Sequence, residues 1–215
     1  MAETLRFFVR TTNERAFEYN LNYEKLIDIE RKPVKSFIEQ LKYISSWDSV
    51  LLEDDLVLCT DFLTEINKAI STYPDKIINF FTRPTEYFQT HEDNRFLYNQ
   101  CTYYPKGVAK IVAEEMESIW IKNPNLQYDI IEDKALKNLK ITHIQYRPCL
   151  IQHLDNNSLI GNKTDFRRTL FFLDDLNKLN ISYSQAGSVI NRFRLKINLN
   201  KYFGYKDLRG EKNGR

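Results

Sequence analysis

Glycine and proline are scarce in this 215-residue chain, six of each. That scarcity excludes collagen-like and Pro/Gly-rich disordered classes. The three cysteines, Cys59, Cys101 and Cys149, lie far apart with no CxxC pair. This excludes a disulfide framework and a cysteine zinc site, leaving reduced thiols, with Cys59 read as a packed small hydrophobe. No run reaches the ~18 apolar residues of a membrane span, and no signal-peptide pattern follows Met1. The expected setting is therefore cytoplasmic. No Gly-rich phosphate loop is present, which argues against nucleotidyltransferase and nuclease chemistry. Internal repeats and low-complexity segments are absent, and the net charge of +2 excludes little.

What is abundant points to an ordered core. Aromatic residues include 14 Phe and 13 Tyr, and 42% of residues are apolar. The length suits one domain with an appendage. Strands are expected at Leu5–Arg10, Lys25–Ile29, Val50–Leu58, Ile77–Phe81, Gln100–Tyr104, Ile141–Tyr146 and Cys149–His153. Pro33 starts a helix carrying Phe37, Ile38, Leu41 and Ile44 at helical spacing. Asp61 is positioned to cap a second helix with Phe62, Leu63, Ile66, Ala69 and Ile70 on its apolar face. Further helices are expected over Gly107–Ile119, from Asp129 or Glu132 to Leu139, and over Phe166–Leu179. The alternation predicts an α/β sandwich, Rossmann-like, around a mostly parallel central sheet.

The most informative stretch is Ser49–Leu58. Three adjacent carboxylates, Glu53, Asp54 and Asp55, stand between the apolar runs Val50-Leu51-Leu52 and Leu56-Val57-Leu58. Burying an unpaired carboxylate costs several kcal/mol, so a strand carries one into a cleft where a cation meets it. Oxygen ligands suit Mg2+ or Mn2+, and Mn2+ also accepts imidazole. His153 closes an extended run just before Asp155–Lys163, a polar loop in which Ser158, Asn162 and Lys163 could meet a phosphate and Gly161 allows close backbone approach. His91 and His143 have no such context and read as ordinary core or surface residues. Ligands of α/β sheets bind outside the carboxyl ends of the strands. That rule would bring the loop at Thr11, the acidic triplet and the loop after His153 to one edge.

This order of features resembles a nucleotide-sugar-dependent glycosyltransferase of the GT-A fold. The pieces are Val9-Arg10-Thr11-Thr12, Leu52-Glu53-Asp54-Asp55, Asp61-Phe62, Glu132-Asp133 and His153 with Asn157–Asn162. They span roughly residues 5 to 170, so the expected domain is 1–170 with a basic extension over 171–215. The resemblance implies Asp55 and His153 as ligands of Mn2+ or Mg2+ and Glu53, standing where the family usually has Asp, as the ribose contact. It implies Arg10, Thr11, Thr12, Arg15 and Asp28 as the nucleotide border, with Asp54 grouped among the donor-binding residues without a role of its own. A UDP-sugar is the expected co-substrate. Lys163, with Ser158 and Asn162, would face the diphosphate. Asp133 matches the acid that serves as catalytic base in inverting members. Asp129 is its rival, because Asp129-Ile130-Ile131-Glu132 is also a capping-box pattern.

The chain also resembles short phage-encoded enzymes that glycosylate hydroxymethylated pyrimidines in bacteriophage DNA. From Arg192 to Arg215, eight Lys and Arg stand against Asp207 and Glu211, a net charge of +6. Arg192, Arg194, Lys196 and Lys201, interleaved with Tyr202, Phe203 and Tyr205, fit double-stranded DNA: cations for phosphates, aromatics for an extruded base. A saccharide acceptor in lipopolysaccharide or capsule is the alternative. A non-enzymatic DNA-binding protein is the alternative from another class.

Overall fold

A computed structural model describes residues 4–12, 17–81, 90–96, 98–153, 169 and 172–178. The chain divides into two compact units, Met1–Asp175 and Leu176–Arg215, and of the second only residues 176–178 are described. Of the expected basic extension, 171–215, only residues 172–178 are described, and Arg15, Ser158, Gly161, Asn162, Lys163, Arg192, Arg194, Lys196 and Lys201 lie outside the described residues.

The first strand, β1 (Arg6–Thr11), is followed by β2 (Glu24–Ile27), and Pro33 begins α1 (Pro33–Ile44) as its fixed φ favours. The buried residues of α1 are Phe37, Ile38, Gln40, Leu41 and Ile44, one stripe at helical period that faces the sheet. Next come β3 (Ser49–Glu53), β4 (Leu56–Leu58) and α2 (Phe62–Thr72). Asp61 occupies the N-cap of α2 without a side-chain capping bond, so it marks the helix start but does not satisfy its N–H groups. Leu63, expected on the apolar face, is 44% exposed. The elements β5 (Ile77–Asn79), β6 (His91–Asp93), β7 (Cys101–Tyr104), α3 (Val108–Lys122), α4 (Tyr128–Leu139), β8 (His143–Gln145), β9 (Ile151–His153) and α5 (Leu173–Lys178) complete the described residues. The helix α3 follows Gly107, whose φ of +82° is a conformation that glycine adopts without a Cβ penalty.

Seven strands form one sheet in the order β2-β1-β3-β7-β5-β8-β6. The sheet is mixed, which corrects the mostly parallel expectation. Pairs β1/β2, β1/β3 and β5/β8 are parallel, while β3/β7, β5/β7 and β6/β8 are antiparallel. Five strands, β2, β1, β3, β5 and β8, still run the same way. The reversed strand β7 sits between β3 and β5, and β6 lies reversed at the edge. Apolar Cys101–Tyr104, buried throughout, carries no sign of its direction, because a strand buried on both faces reads alike either way. The edge strand β6 was not expected, since His91-Glu92-Asp93 has no apolar alternation.

Both faces of the sheet are covered. One core packs Val9, Val50, Leu52, Ile78, Tyr103 and Ile144 against Phe62, Ile66 and Ala69 of α2. The other packs Phe8, Leu51, Ile77 and Tyr104 against α1, α3 and α4. Alternation along β3 sends Leu51 to one face and Val50 and Leu52 to the other, each worth roughly 1.5–3 kcal/mol of apolar burial. All three cysteines are free and buried, and burial raises the Cys59 thiol to about 12, so Cys59 is an inert packing residue. His143 is fully buried, edge-on to Phe96. No described helix is long and apolar enough to cross a membrane. The five co-directional strands bring Thr11, Glu53, Asn79 and Gln145 to the same sheet edge, and the candidate site is built there.

Candidate metal centre

The expected single acidic strand is two strands in two sheets. Through Glu53 the chain pairs with β1, up to Arg10 opposite Glu53. The Glu53 N–H then donates to Gln100 O (2.9 Å). Asp54 and Asp55 form a bend, and Leu56-Val57-Leu58 leaves the main sheet to pair antiparallel with β9, Leu56 opposite His153. That register carries the imidazole to the acidic bend. His153 Nε2 lies 3.4 Å from Asp55 Oδ2, and both side chains are about nine-tenths buried, 9% and 11% exposed. Ligand atoms of Glu53, Asp55 and His153 all lie within 4.8 Å of one another.

Among the described residues, Tyr19 and Thr11 hold the bend. The Tyr19 hydroxyl donates to Glu53 O (2.7 Å) and accepts from the Leu56 N–H (3.1 Å), spanning the bend from one strand to the next. The Thr11 hydroxyl lies 2.7 Å from Asp54 Oδ2 and 2.8 Å from Thr12 O, both acceptors for its single proton. Asp54, which had no expected role of its own, thereby ties the bend to the end of β1.

Glu53 is held from the other side. The Tyr128 hydroxyl, at the start of α4, donates to Glu53 Oε1 (2.9 Å). Arg10 Nη1 stands 4.0 Å from the same oxygen. The guanidinium lies over the rings of Phe37 and Tyr128, 4.4 and 4.6 Å from their centroids, and because the rings pack against each other at 5.1 Å it caps the pair, with a cation–π contact to each. Burial and the adjacent Asp55 charge push the Glu53 carboxyl above its ordinary range, with Arg10 opposing them. Two carboxylates thus crowd one another, the situation that a divalent cation relieves. The donor set fits such an ion: two carboxylates with an imidazole suit Mn2+. Ligands of one octahedral ion stand ~3 Å apart when adjacent and ~4 Å when opposite. Modest side-chain rotations would therefore bring all three onto one ion.

Not every expected residue converges here. Thr11 and Arg10 do, and Thr12 follows Thr11 in the chain. Asp28 is bonded to Thr11 through its backbone (Asp28 N–H to Thr11 O, 2.9 Å). Its carboxylate accepts from the Lys32 N–H (3.3 Å), within a separate cleft of about 210 Å³ lined also by Ile27, Ile29 and Lys35. Asp133 has both carboxylate oxygens engaged, by the Phe96 N–H (2.9 Å) and the Lys137 ammonium (2.6 Å). Asp129, adjacent to Tyr128, accepts from the Ile130 N–H (2.8 Å). The helix begins at Tyr128 with Gln127 at the N-cap, so neither Asp129 nor Glu132 opens it.

Sequence reasoning missed Tyr19, Tyr128, Tyr104 and Glu132. Glu132 is fully buried. Its oxygens accept from the Tyr104 hydroxyl and the Asn99 amide, each at 2.5 Å. Desolvation raises its carboxyl to about 8 from an ordinary 4.5, with Tyr104, Arg10 and Asn99 opposing. The only local signal was spacing: Tyr128 and Glu132 are one helical turn apart and share a face.

The raised Glu132 carboxyl has a consequence for stability. Between pH 4.5 and 8 the folded state keeps a proton that the unfolded state has lost. This contribution is complete below pH 4.5 and is lost as pH rises through 8, with a slope of at most ~1.4 kcal/mol per pH unit. Urea unfolding of Glu132→Gln across that range is expected to show a flatter dependence on pH than the wild type. Equal slopes would mean that Glu132 is ionised in the fold.

No protein-family model matches this chain, and none of the curated proteins matches it.

Proposed function

We propose that this protein is a metal-dependent glycosyltransferase that moves a sugar from a nucleotide-diphosphate sugar to a hydroxyl acceptor. The observation that carries the reading is the meeting of Glu53, Asp55 and His153, from strands a hundred residues apart, within 4.8 Å at the carboxyl end of the sheet. A divalent ion held by Asp55, His153 and Glu53 would supply Lewis-acid neutralisation of the diphosphate leaving group. The residues of the chain would do the rest. Arg10, held over the Phe37 and Tyr128 rings, presents a permanent positive charge beside the site. Thr11 and Thr12 border it at the end of β1. Asp28 would contact the nucleotide only through the cleft that it lines.

The acceptor proton needs a carboxylate that can take it. Asp133 would have to give up both of its bonds. The first turn of α4 is better placed, because Tyr128 already reaches Glu53 there, so we assign the base to Asp129 ahead of Asp133. The expected result is a ~10²–10⁴-fold lower kcat for Asp129→Asn, with Asp133→Asn losing chiefly thermal stability. The reverse ranking would return the base to Asp133. The acceptor proposed is a hydroxymethylated pyrimidine in DNA, on the charge of Arg192, Arg194, Lys196 and Lys201 and their neighbours.

A thermal-shift screen of nucleotide sugars with and without Mn2+, followed by transfer assays on hydroxymethylated duplex DNA and on a saccharide, tests the reading. A Mn2+-dependent shift with one nucleotide sugar is expected, followed by transfer to the DNA. Transfer to the saccharide alone would remove the DNA acceptor, and no shift with any nucleotide sugar would remove the transferase reading.

A further inference from the structure

The proposed chemistry leaves a buried acid unused. Glu132 contacts none of the three candidate ligands, yet both of its oxygens are engaged in the layer behind them. A carboxyl group is a costly way to fill a core position, and apolar replacements of similar volume are often as stable. Its placement explains the cost. On one face of α4, Tyr128 reaches the end of β3 through Glu53, and Glu132 reaches β7 through Tyr104, its last residue, and through Asn99, two residues before its start. Asn99 is itself fixed, accepting from the Thr102 hydroxyl (2.9 Å). The first two turns of α4 are thus pinned at two points, by Tyr128 and by Glu132, to adjacent strands, β3 and β7. Only the Tyr128 pin touches a candidate ligand. A hydroxyl on a helix that slid by 1 Å would no longer donate at 2.9 Å, because hydrogen bonds weaken steeply with distance and angle.

Resting on the metal reading above, we propose that Glu132 is a positioning residue of the metal centre, holding α4 so that the Tyr128 hydroxyl turns the Glu53 carboxylate toward Asp55 and His153. Residues that orient ligands from behind change metal affinity by roughly 10–100-fold when removed. Glu132 acts at one remove, through Tyr128, so its effect is expected at or below the lower end of that range.

The test is a double-mutant cycle read by Mn2+ binding in calorimetry, on wild type, Tyr128→Phe, Glu132→Gln and the double variant. Gln keeps the shape of Glu132 but sets an amide donor against one of its two donors. Tyr128→Phe is expected to weaken Mn2+ binding by about tenfold, and Glu132→Gln by about three- to tenfold. The double variant is expected to bind like Tyr128→Phe alone, since a residue acting through Tyr128 has nothing left to position. A role confined to stability would lower the melting temperature and leave the Mn2+ affinity of the folded protein at the wild-type value, overturning the proposal. Penalties that multiply in full in the double variant would overturn it too. Tyr104→Phe removes a donor to Glu132 while keeping the ring in the core. It gives the same reading if Glu132→Gln does not fold. Asp55→Asn separates the two levels: a wild type that binds no Mn2+, or binds it equally well without Asp55, removes the metal reading itself. A wild type that depends on Asp55 but not on Glu132 removes only the positioning role.

Discussion

Asp55→Asn is expected to abolish the rise in melting temperature that Mn2+ produces in the wild type. A ligand at a hundred times its dissociation constant stabilises the native state by ~2.7 kcal/mol. For a chain of this size that is ~5–10 °C. Asparagine keeps the shape of Asp55 but removes its charge, and with it the strongest electrostatic reason for a cation to sit between Glu53 and His153. Without metal the same change is expected to leave the melting temperature unchanged or slightly raised. Asp55 is among the groups that push the Glu53 carboxyl upward, so removing its charge relieves repulsion in the fold. A metal-free protein that loses as much stability as the Mn2+ response would show a structural bend and not a metal centre.

Phe37→Ala is expected to cause the largest loss of stability among changes near the site. Phe37 is fully buried, packs its ring 5.1 Å from Tyr128 and covers one face of the Arg10 guanidinium. Truncating a buried Phe to Ala costs ~3–5 kcal/mol, or ~6–20 °C in a chain of this size. Phe37→Leu separates packing from the cation contact. It keeps most of the apolar volume and loses the ring face, an interaction of ~0.5–2 kcal/mol. Differential scanning calorimetry of both variants checks the order. A Phe37→Leu variant as unstable as Phe37→Ala would mean that the ring itself, not the filled volume, holds Arg10 and α1 together.

The parts of the fold that were legible in the sequence are those with a strong local period. Pro33 and the spacing of Phe37, Ile38, Leu41 and Ile44 marked α1, and the same four residues are buried. The run Val50-Leu51-Leu52 marked a strand that is buried on both faces and ends at Glu53. Strand direction was not legible. A short apolar strand such as β7 carries the same residues whether it runs up or down, so the mixed sheet could not be read from composition. The second flank, Leu56-Val57-Leu58, looked like a continuation of the first because both are apolar, yet it joins a different sheet.

The candidate site divides along the same line. By itself, the chain determined which chemistry was on offer: three adjacent carboxylates at a strand end, and a histidine closing an extended run. Charge that cannot be buried alone is a local property, visible wherever it interrupts apolar residues. Tertiary structure alone decided which of those groups meet. Leu56 pairs with His153 across 97 residues, and a slip of one residue in that register would turn the imidazole to the other face. Tyr128 bonds Glu53 across 75 residues, and Tyr104 bonds Glu132 across 28. Such contacts depend on loop closure, strand direction and helix packing together, and no window of neighbouring residues contains them. Asp54 changed most: in the sequence it was one acid of three, and in the fold its hydrogen bond to Thr11 makes it the tie between the acidic bend and β1.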